Sequence, residues 1–442
     1  MTDAAARLPV VGIGCDGLDG LTAAARRVLA DARRIIGAAR QLELLDVGGE
    51  PAVTADRVTW PEGYWRRWAD VLADLDPTGD VILASGDPMF HGIGTTLVRE
   101  LGADAVEIFP APSSASLACA RLGWALDRTP VVSLVTGPPG AAGAGAVVPF
   151  ADRGRPFLVL CRSAESVGHV AAALSDRPDT VLTALTNVGG GGDGPHPETV
   201  RTGTVAAPPT PAGDLTILAV VPSGPARPWL PDDAFDTDGQ LTKSPVRELT
   251  VAALGPRPGA LLWDVGGGTG SIAIEWARHG GRAVCIERDA SRARRIDANV
   301  AALSGGVRVV HGQAPEALDG ITVTADAAGV SDAPDAIFIG GGLTADGMID
   351  ACFSALAPGG VLVANTVTVE SEAVLWNART RWGGEVRRIG VERAGKVGSF
   401  TAWRPALPVV QWIVVKHDTA GPGRPADDNA TARTGAEGTP NQ

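Results

Sequence analysis

The sequence predicts an α/β protein of more than one domain, built largely on parallel β-sheets. Short apolar stretches of strand length alternate with helical stretches along most of the 442 residues. With 45% hydrophobic and 20% charged residues the composition is globular, which excludes fibrous and wholly disordered chains. The 57 glycines and 33 prolines suit many strand–helix junctions. This length favours two or three domains.

The first block covers residues 1–112. Predicted strands are 8–13, 34–38, 80–85 and 106–109, and predicted helices are about 20–31, 62–75 and 92–101. Apolar strands that alternate with helices indicate a parallel sheet covered on both faces.

The second block covers residues 113–222. Predicted strands are 131–136, 156–161, 180–186 and 215–221, with a helix at about 164–175. Two Gly-rich stretches, 137–146 and 189–194, are expected to be flexible insertions. Residues 223–240 are rich in Pro, Asp and Gly, which is typical of a linker.

The third block covers residues 241–418. Predicted helices are 244–254, 272–280, 290–303, 344–356 and 370–380, and predicted strands are 261–265, 283–287, 307–312, 335–340, 361–365, 385–391 and 409–415. Residues 419–442 are polar without an apolar period, and we expect them to be disordered.

Charge and cysteine usage exclude several classes of protein. The net charge is −12, from 38 basic and 50 acidic residues, whereas a general nucleic-acid binder needs a cationic face. No apolar run approaches the roughly 20 residues of a membrane span, and the start lacks a cationic leader. The five cysteines are far apart, without a CxxC pair. We expect a reduced cytoplasmic protein with no metal site.

The most informative motif is DVGGGTGS at 264–271, which joins a buried strand to a helix. Gly266, Gly268 and Gly270 allow sharp turns and close approach of a ligand. The helix start behind them offers free N–H groups. Glu287 lies 21 residues after Gly266, at the end of the next strand, where a carboxylate accepts ribose hydroxyls.

The GxGxG spacing with a preceding acid resembles the class I S-adenosylmethionine-dependent methyltransferases. Gln313 and Ala314 follow the strand VRVV, where an adenine edge would lie. A packing turn and a plain NAD site are the alternatives.

The first block carries a literal GxGxxG at Gly12, Gly14 and Gly17. This motif is weak evidence for NAD, since the second strand ends without an acid. Asp87 in SGDPMF, and Ser113 and Ser114 in PSSAS, follow two other strands, at the edge where α/β sheets bind ligands. The alternative is local turn chemistry and a helix cap.

These motifs resemble known families. Residues 8–222 resemble the tetrapyrrole methylases through VVGIGCDG, ASGDPMFHGIG and FPAPSSASLACARLGW. Residues 241–416 resemble a decarboxylating methyltransferase through LTKSPVRELTVAALGPRPGALLWDVGGGTGSIAIEWAR, GQAPEAL and IFIGGG. Together they resemble the precorrin-6Y methyltransferase (decarboxylating) family of cobalamin biosynthesis.

The resemblance implies a fold and an activity. It implies a tetrapyrrole methylase fold of two α/β subdomains, followed by a class I Rossmann-like methyltransferase with a mostly parallel seven-stranded sheet. The enzyme would use two S-adenosylmethionine molecules to methylate a precorrin at meso carbons 5 and 15, and would decarboxylate the ring C acetate to give precorrin-8. The family assigns carbon 5 to the first module, and carbon 15 with the decarboxylation to the third block, which would also self-associate.

The resemblance also assigns residues. In the third block it places the following around the cofactor: Thr242, Gly266, Gly268, Gly270, Glu287, Gln313 and Ala314. In the first module it places Asp87, Met89, Ser113 and Ser114 near the other cofactor, and Gly12 and Gly14 in a substrate-side loop. The chain departs from the family at Val135-Thr136-Gly137, where His-Gly-Arg is usual, and at Cys15, where an acid is common.

A polycarboxylate substrate on an acidic protein requires local cations. The candidate anchors are Lys243, Arg247, Arg387, Arg388, Arg393 and Lys396, with solvated surface charges as the alternative. A non-catalytic scaffold that binds cofactor or corrin intermediates is a second functional hypothesis, as is a methyltransferase for another small molecule. An RNA or protein methyltransferase would need a basic groove or an NPPY-type motif, which residues 365–368 do not supply.

Overall fold

The computed structural model describes residues 6–49, 53–64, 67–191, 195–321 and 333–417. They form two compact units: unit 1 comprises the residues up to Leu230 together with Val300–Gly305, and unit 2 comprises the others. No helix among these residues is long and apolar enough to cross a membrane. The tail expected to be disordered, 419–442, lies outside the described residues.

Unit 1 begins with a five-stranded sheet in the order β3-β2-β4-β1-β5, in which every pairing is parallel. Its strands are β1 (Leu8–Ile13), β2 (Arg34–Gly37), β3 (Asp56–Thr59), β4 (Asp80–Ser85) and β5 (Val106–Phe109). Its helices are α1 (Ala23–Asp31), α2 (Ala39–Glu43), α3 (Trp68–Ala73) and α4 (Ile93–Leu101). Val10 and Val11 belong to separate apolar clusters on the two faces, so the prediction of a doubly covered parallel sheet is confirmed.

The second half of unit 1 is a mixed sheet in the order β6-β7-β10-β8-β9. Its strands are β6 (Val131–Ser133), β7 (Phe157–Leu160), β8 (Val181–Thr186), β9 (Thr199–Thr204) and β10 (Thr216–Val221). Its helices are α5 (Ser114–Leu122), α6 (Ala141–Ala144), α7 (Val148–Asp152) and α8 (Ser166–Ala173). Only β6 and β7 pair in parallel; the other three pairings are antiparallel.

Three sequence predictions for unit 1 were wrong in detail. The stretch 137–146 is not a loose insertion, because it contains α6 with Gly143 and Ala144 buried. Strand β6 ends at Ser133 rather than at residue 136. The helix expected at 62–75 is limited to α3. Part of the other expected insertion, 192–194, lies outside the described residues.

Unit 2 carries a seven-stranded sheet in the order β13-β12-β11-β14-β15-β19-β16. Its strands are β11 (Leu261–Val265), β12 (Arg282–Glu287), β13 (Val307–His311), β14 (Ala336–Ile339), β15 (Val361–Thr366), β16 (Glu385–Ile389) and β19 (Val409–Val415). The first five run parallel and β19 runs antiparallel between β15 and β16, which confirms the predicted seven-stranded, mostly parallel sheet. A separate exposed hairpin of β17 (Glu392–Val397) and β18 (Phe400–Pro405) was not predicted.

Five helices complete unit 2: α9 (Val246–Leu254), α10 (Ser271–Arg278), α11 (Ala290–Leu303), α12 (Met348–Ala355) and α13 (Val369–Trp382). Residues from 232 onward, within the segment expected to be a linker, pack on these elements. Asp232 accepts a hydrogen bond from the Arg247 guanidinium at 2.9 Å, and Phe235 lies under that guanidinium, 4.9 Å from its carbon. This segment therefore starts the second unit.

Candidate functional site

The loop after β11 takes a shape that only glycine adopts readily. Gly266, Gly268 and Gly270 have φ angles of +75°, +60° and +76°, in the left-handed region. A Cβ on Gly266 would lie 2.8 Å from the backbone of Gly341, and one on Gly270 would lie 2.7 Å from Ile296. The glycines let two backbones approach and start α10 directly behind the turn.

Glu287 is the last residue of β12, and its side chain holds this loop in place through a hydrogen bond to the loop backbone. Its carboxylate is almost fully buried. One oxygen accepts the Gly268 N–H and the other accepts the Asp289 N–H, both at 2.9 Å. No cation pairs with it among the described residues. Each carboxylate oxygen keeps a second lone pair, so Glu287 is suited to accept hydroxyl groups of a ligand.

Asp264 lies beneath the same loop, fully buried. Its Oδ2 accepts the Ala273 N–H of α10 at 3.1 Å and lies 3.8 Å from the Cys285 sulfur. Its Oδ1 is buried without a hydrogen-bond partner in the described part of the chain. Burial raises the pKa of Asp264 to about 7 and that of the Cys285 thiol above its usual range. Asp264 therefore anchors the start of α10 with a carboxyl group that resists ionisation.

The other residues assigned around this loop lie at its border. Gly312 donates its N–H to the Glu287 carbonyl at 3.0 Å, which brings the turn with exposed Gln313 and half-buried Ala314 beside β12. Half-buried Thr242 accepts a 2.9 Å hydrogen bond through its carbonyl from Arg247.

The two residues near the start of α9 that were expected to bind substrate carboxylates differ in exposure. Lys243 is exposed. Arg247 is fully buried, bonded to Asp232 and 3.6 Å from the Glu275 carboxylate. The expectation that Arg247 holds a substrate carboxylate is therefore wrong, because the guanidinium serves the interior of the fold.

The arginines of the late strands do not converge. Half-buried Arg387 bonds to the Gln411 side chain, whereas exposed Arg388 pairs with Glu372 of α13. Arg393 donates to the Ser244 carbonyl, and Lys396 is exposed on the hairpin. Adjacent strand residues point to opposite faces, so Arg387 and Arg388 do not bind one ligand together.

Unit 1 contains a cavity of about 510 Å³ where the ends of β1, β4 and β5 meet the second sheet. Four residues assigned from sequence line it: Gly14, Asp87, Ser113 and Ser114. As predicted for a cap, the Ser113 hydroxyl accepts the Ser116 N–H at 3.1 Å and starts α5. Asp87 accepts the Met89 N–H at 2.9 Å, which shapes the turn after β4.

Gly12 and Met89 are not among the cavity-lining residues. Gly12 lies inside β1, where a Cβ would meet the Gly86 carbonyl oxygen at 1.8 Å. Its role is close backbone packing rather than a substrate-side loop. Gly17 begins a short 3₁₀ turn, so the literal GxGxxG does not form the strand-to-helix phosphate loop of a dinucleotide site.

Sequence reasoning missed several polar and aromatic residues of this cavity. Arg40 donates to the Ser85 hydroxyl at 2.8 Å, and Gln41 donates to the same hydroxyl at 3.0 Å. Trp60 and Tyr64 line another part, with ring centroids 5.1 Å apart. Arg40 follows β2 at the carboxyl edge of the sheet, so the rule that identified Asp87 also applies to it.

The two departures from the family both lie at this cavity. Val135 lines it, and the Gly137 carbonyl accepts a 2.6 Å hydrogen bond from Arg162, a further lining residue. Cys15 lines it as a buried thiol whose pKa is raised by burial, against an opposing effect of Arg40. A raised pKa keeps this thiol protonated and unreactive.

Comparison with known proteins decides the family. A model described as tetrapyrrole (corrin/porphyrin) methylases matches residues 7–193, and one described as a precorrin methyltransferase domain matches residues 233–416. A precorrin-6Y C(5,15)-methyltransferase [decarboxylating] from Mycobacterium tuberculosis (strain CDC 1551 / Oshkosh) is 44% identical over 419 residues, covering 92% of this chain and 99% of the relative. The chain belongs to the precorrin-6Y C(5,15)-methyltransferase (decarboxylating) family.

Two further proteins are similar to this chain. A family member from Sinorhizobium sp. is 40% identical over 425 residues, covering 92% of this chain and 96% of the relative. A crystal structure of the C-terminal domain of precorrin-6Y C5,15-methyltransferase from Rhodobacter capsulatus is 43% identical, with a TM-score of 0.38, and covers 42% of this chain and 97% of that chain. The family models and the two curated relatives confirm the predicted family, and the sheets described above confirm the predicted fold class.

Proposed function

We propose that this chain uses S-adenosylmethionine to methylate a precorrin at carbons 5 and 15 and to decarboxylate its ring C acetate, with one cofactor site in each unit. The observation that supports this best is that nearly the whole chain matches relatives named for the combined activity. Unit 1 would methylate carbon 5, and unit 2 would methylate carbon 15 and carry out the decarboxylation. The modules would span residues 1–222 and 241–418, and a cytoplasmic homo-oligomer remains a prediction.

The residues of unit 2 fit the cofactor. S-adenosylmethionine, when bound, supplies a methyl group on a positively charged sulfur. Glu287 is a buried carboxylate with lone pairs to spare and no cationic partner in the described residues, and it would accept the ribose hydroxyls. The Gly266–Gly270 turn presents backbone to the ligand without side-chain bulk, and Gln313 and Ala314 would flank the adenine.

The residues of unit 1 fit a second cofactor together with an anionic ring. Asp87, Ser113 and Ser114 would contact the cofactor at the strand ends. Arg40 and Arg162 bring positive charge to the same cavity, and Trp60 and Tyr64 bring aromatic surface. A flat polycarboxylate needs both kinds of contact.

The chemistry asks for orientation more than for a strong base. The meso carbons of the reduced macrocycle are enamine-like and already nucleophilic. Each methylation forms a carbon–carbon bond while the carbon–sulfur bond breaks, so the protein must hold carbon, methyl and sulfur in line. Decarboxylation breaks the bond to the carboxylate carbon, and the conjugated ring takes up the electron pair.

Mass analysis of the product tests the proposal. The full chain is incubated with purified precorrin-6Y-type substrate and S-adenosylmethionine. We expect a product that has gained two methyl groups and lost one carbon dioxide. Binding of both ligands without any change in mass would favour the scaffold hypothesis instead.

A further inference from the structure

A row of polar side chains crosses the late strands of the unit 2 sheet. Asn365 of β15 pairs with Gln411 of β19, and Gln411 pairs with Arg387 of β16. Side chains of paired residues lie on the same face. The three therefore stand side by side on the face covered by α9, which contributes Thr250 from above.

The hydrogen bonds of this row fix the orientation of every group. Gln411 Oε1 accepts Nε–H and Nη2–H of Arg387 at 2.8 and 2.5 Å. Gln411 Nε2 donates to Asn365 Oδ1 at 2.8 Å and to Thr250 Oγ1 at 3.1 Å. Asn365 Nδ2 donates to the same hydroxyl at 2.9 Å, and that hydroxyl donates to the Val246 carbonyl at 2.7 Å.

The row is buried at its centre and partly open at its ends. Gln411 and Thr250 are fully buried, whereas Asn365 and Arg387 are both half-buried. A buried amide with all its groups satisfied holds a single geometry. The Gln411 amide contacts only one side of the Arg387 guanidinium, the side that carries Nε and Nη2. The end-on edge, which binds carboxylates through two parallel bonds, has no partner in the described parts of the chain.

The register places this guanidinium at the edge that carries the glycine loop. Val265 pairs with Ile339, and Ile339 pairs with Ala364. Asn365, one residue on, is therefore level with Gly266, and so are Gln411 and Arg387. β16 lies four strands from β11, on the order of 20 Å at the usual spacing between strands. The reach of a tetrapyrrole with its acid arms is comparable.

The row also lies on the same face of the sheet as Glu287, the acid expected to bind the cofactor. Asp264 pairs with Cys285 and Phe338, and Phe338 pairs with Val363. Glu287 and Asn365 lie two residues beyond Cys285 and Val363, so both point to that face. Arg388 points to the other face, toward α13.

We propose that Arg387 binds a carboxylate arm of the ring substrate in unit 2, and that Gln411, Asn365 and Thr250 are positioning residues that aim its free edge. The inference rests on the proposed function. The bound arm is one that the substrate keeps, because a tight ion pair to the departing carboxylate would stabilise the ground state and slow its loss.

The test compares neighbouring arginines in the full chain. Arg387→Gln should raise KM for the ring substrate at least tenfold, the usual loss for a charged hydrogen bond, with S-adenosylhomocysteine affinity and Tm near wild type. Arg388→Gln, one residue away on the opposite face, should leave KM within twofold. Arg387→Lys should recover only part of the loss, because an ammonium lacks the planar fork.

A second variant tests the positioning by Gln411. Gln411→Glu still accepts both guanidinium hydrogens but neutralises the arginine, so KM should rise as in Arg387→Gln while cofactor binding persists. The variant also loses the two amide N–H bonds to Asn365 and Thr250, so its Tm should fall, and cofactor affinity is the readout that shows the unit remains folded. Direct titration of the ring by absorbance, with S-adenosylhomocysteine present, provides a readout apart from turnover. Equal ring affinity in Arg387→Gln and Arg388→Gln would overturn the inference, whereas a wild-type chain that binds the ring but leaves its mass unchanged would overturn only the proposed function.

Discussion

Glu287→Gln tests the assignment of the unit 2 cofactor site most directly. The two carboxylate oxygens each accept one backbone N–H, from Gly268 and from Asp289. A glutamine has one carbonyl oxygen, and its NH₂ group would face one of these two donors. The variant therefore loses a ligand acceptor and also disturbs the loop that surrounds the ligand.

The expected loss follows from these bonds. A hydrogen bond to a charged group contributes roughly 1.5–3 kcal/mol, and a buried donor facing another donor costs a similar amount. Taking about 3 kcal/mol for the combined effect gives roughly a hundredfold weaker Kd. Because Glu287 lies within unit 2, any binding by unit 1 should be unaffected.

Calorimetric titration of the full chain with S-adenosylhomocysteine measures this. We expect one binding event to weaken about a hundredfold while a second event, from unit 1, keeps its affinity. Glu372→Gln is the matched control, since Glu372 on α13 pairs with exposed Arg388 of β16 and such surface pairs contribute little. Unchanged binding in Glu287→Gln, with Tm near wild type, would remove this acid from the cofactor site.

Three further predictions concern single residues. Gly268→Val should abolish cofactor binding by unit 2. Gly255 has a similar φ but open space around it, so Gly255→Val should only lower Tm. Equal calorimetric affinities of the two variants for the cofactor would contradict the assignment of the loop to the cofactor site. Burial raises the Asp264 pKa from 3.8 to about 7, so the stability that this group contributes is lost as the pH rises through that window. In urea unfolding, the free energy of unfolding of Asp264→Asn should therefore rise relative to that of wild type between pH 5 and pH 8. A difference that stays constant over this range would refute the prediction. Arg40→Gln should raise the KM of the ring substrate for methylation in unit 1 about tenfold, as measured by initial rates. Arg27→Gln, which changes an exposed arginine, should leave this KM unchanged. Equal KM values in the two variants would exclude Arg40 as a residue that binds a substrate carboxylate.

Most of the strands that sequence reasoning found have buried apolar side chains. All five residues of β11 are buried, as are all four of β14, so hydrophobic runs revealed them. β3, β17 and β18 are almost wholly exposed. Their stability comes from backbone pairing, which leaves no apolar period in the sequence.

The candidate site was predictable where backbone geometry dictates residue type. A left-handed turn demands glycine, so the loop at Gly266–Gly270 is visible in the sequence, as is an acid at the next strand end. The prediction that Arg247 binds substrate was wrong because its acidic neighbours, Asp232 and Glu275, are distant in sequence and close only in the folded chain. The Gln411 row escaped notice for the same reason, since its members lie on four separate elements.

Net charge is a poor guide to what the two units bind, because the charges are sorted within the fold. In unit 2 Glu287 ends β12, beneath the loop expected to take a cationic sulfonium. Arg387 lies on the same face, at the far side of the sheet, and its amide partner Gln411 carries no charge to cancel it. At about 20 Å the guanidinium and this loop are farther apart than the screening length of about 8 Å in physiological salt. An acidic chain can therefore offer negative potential to the cofactor and a local cation to an anionic ring along a single sheet edge.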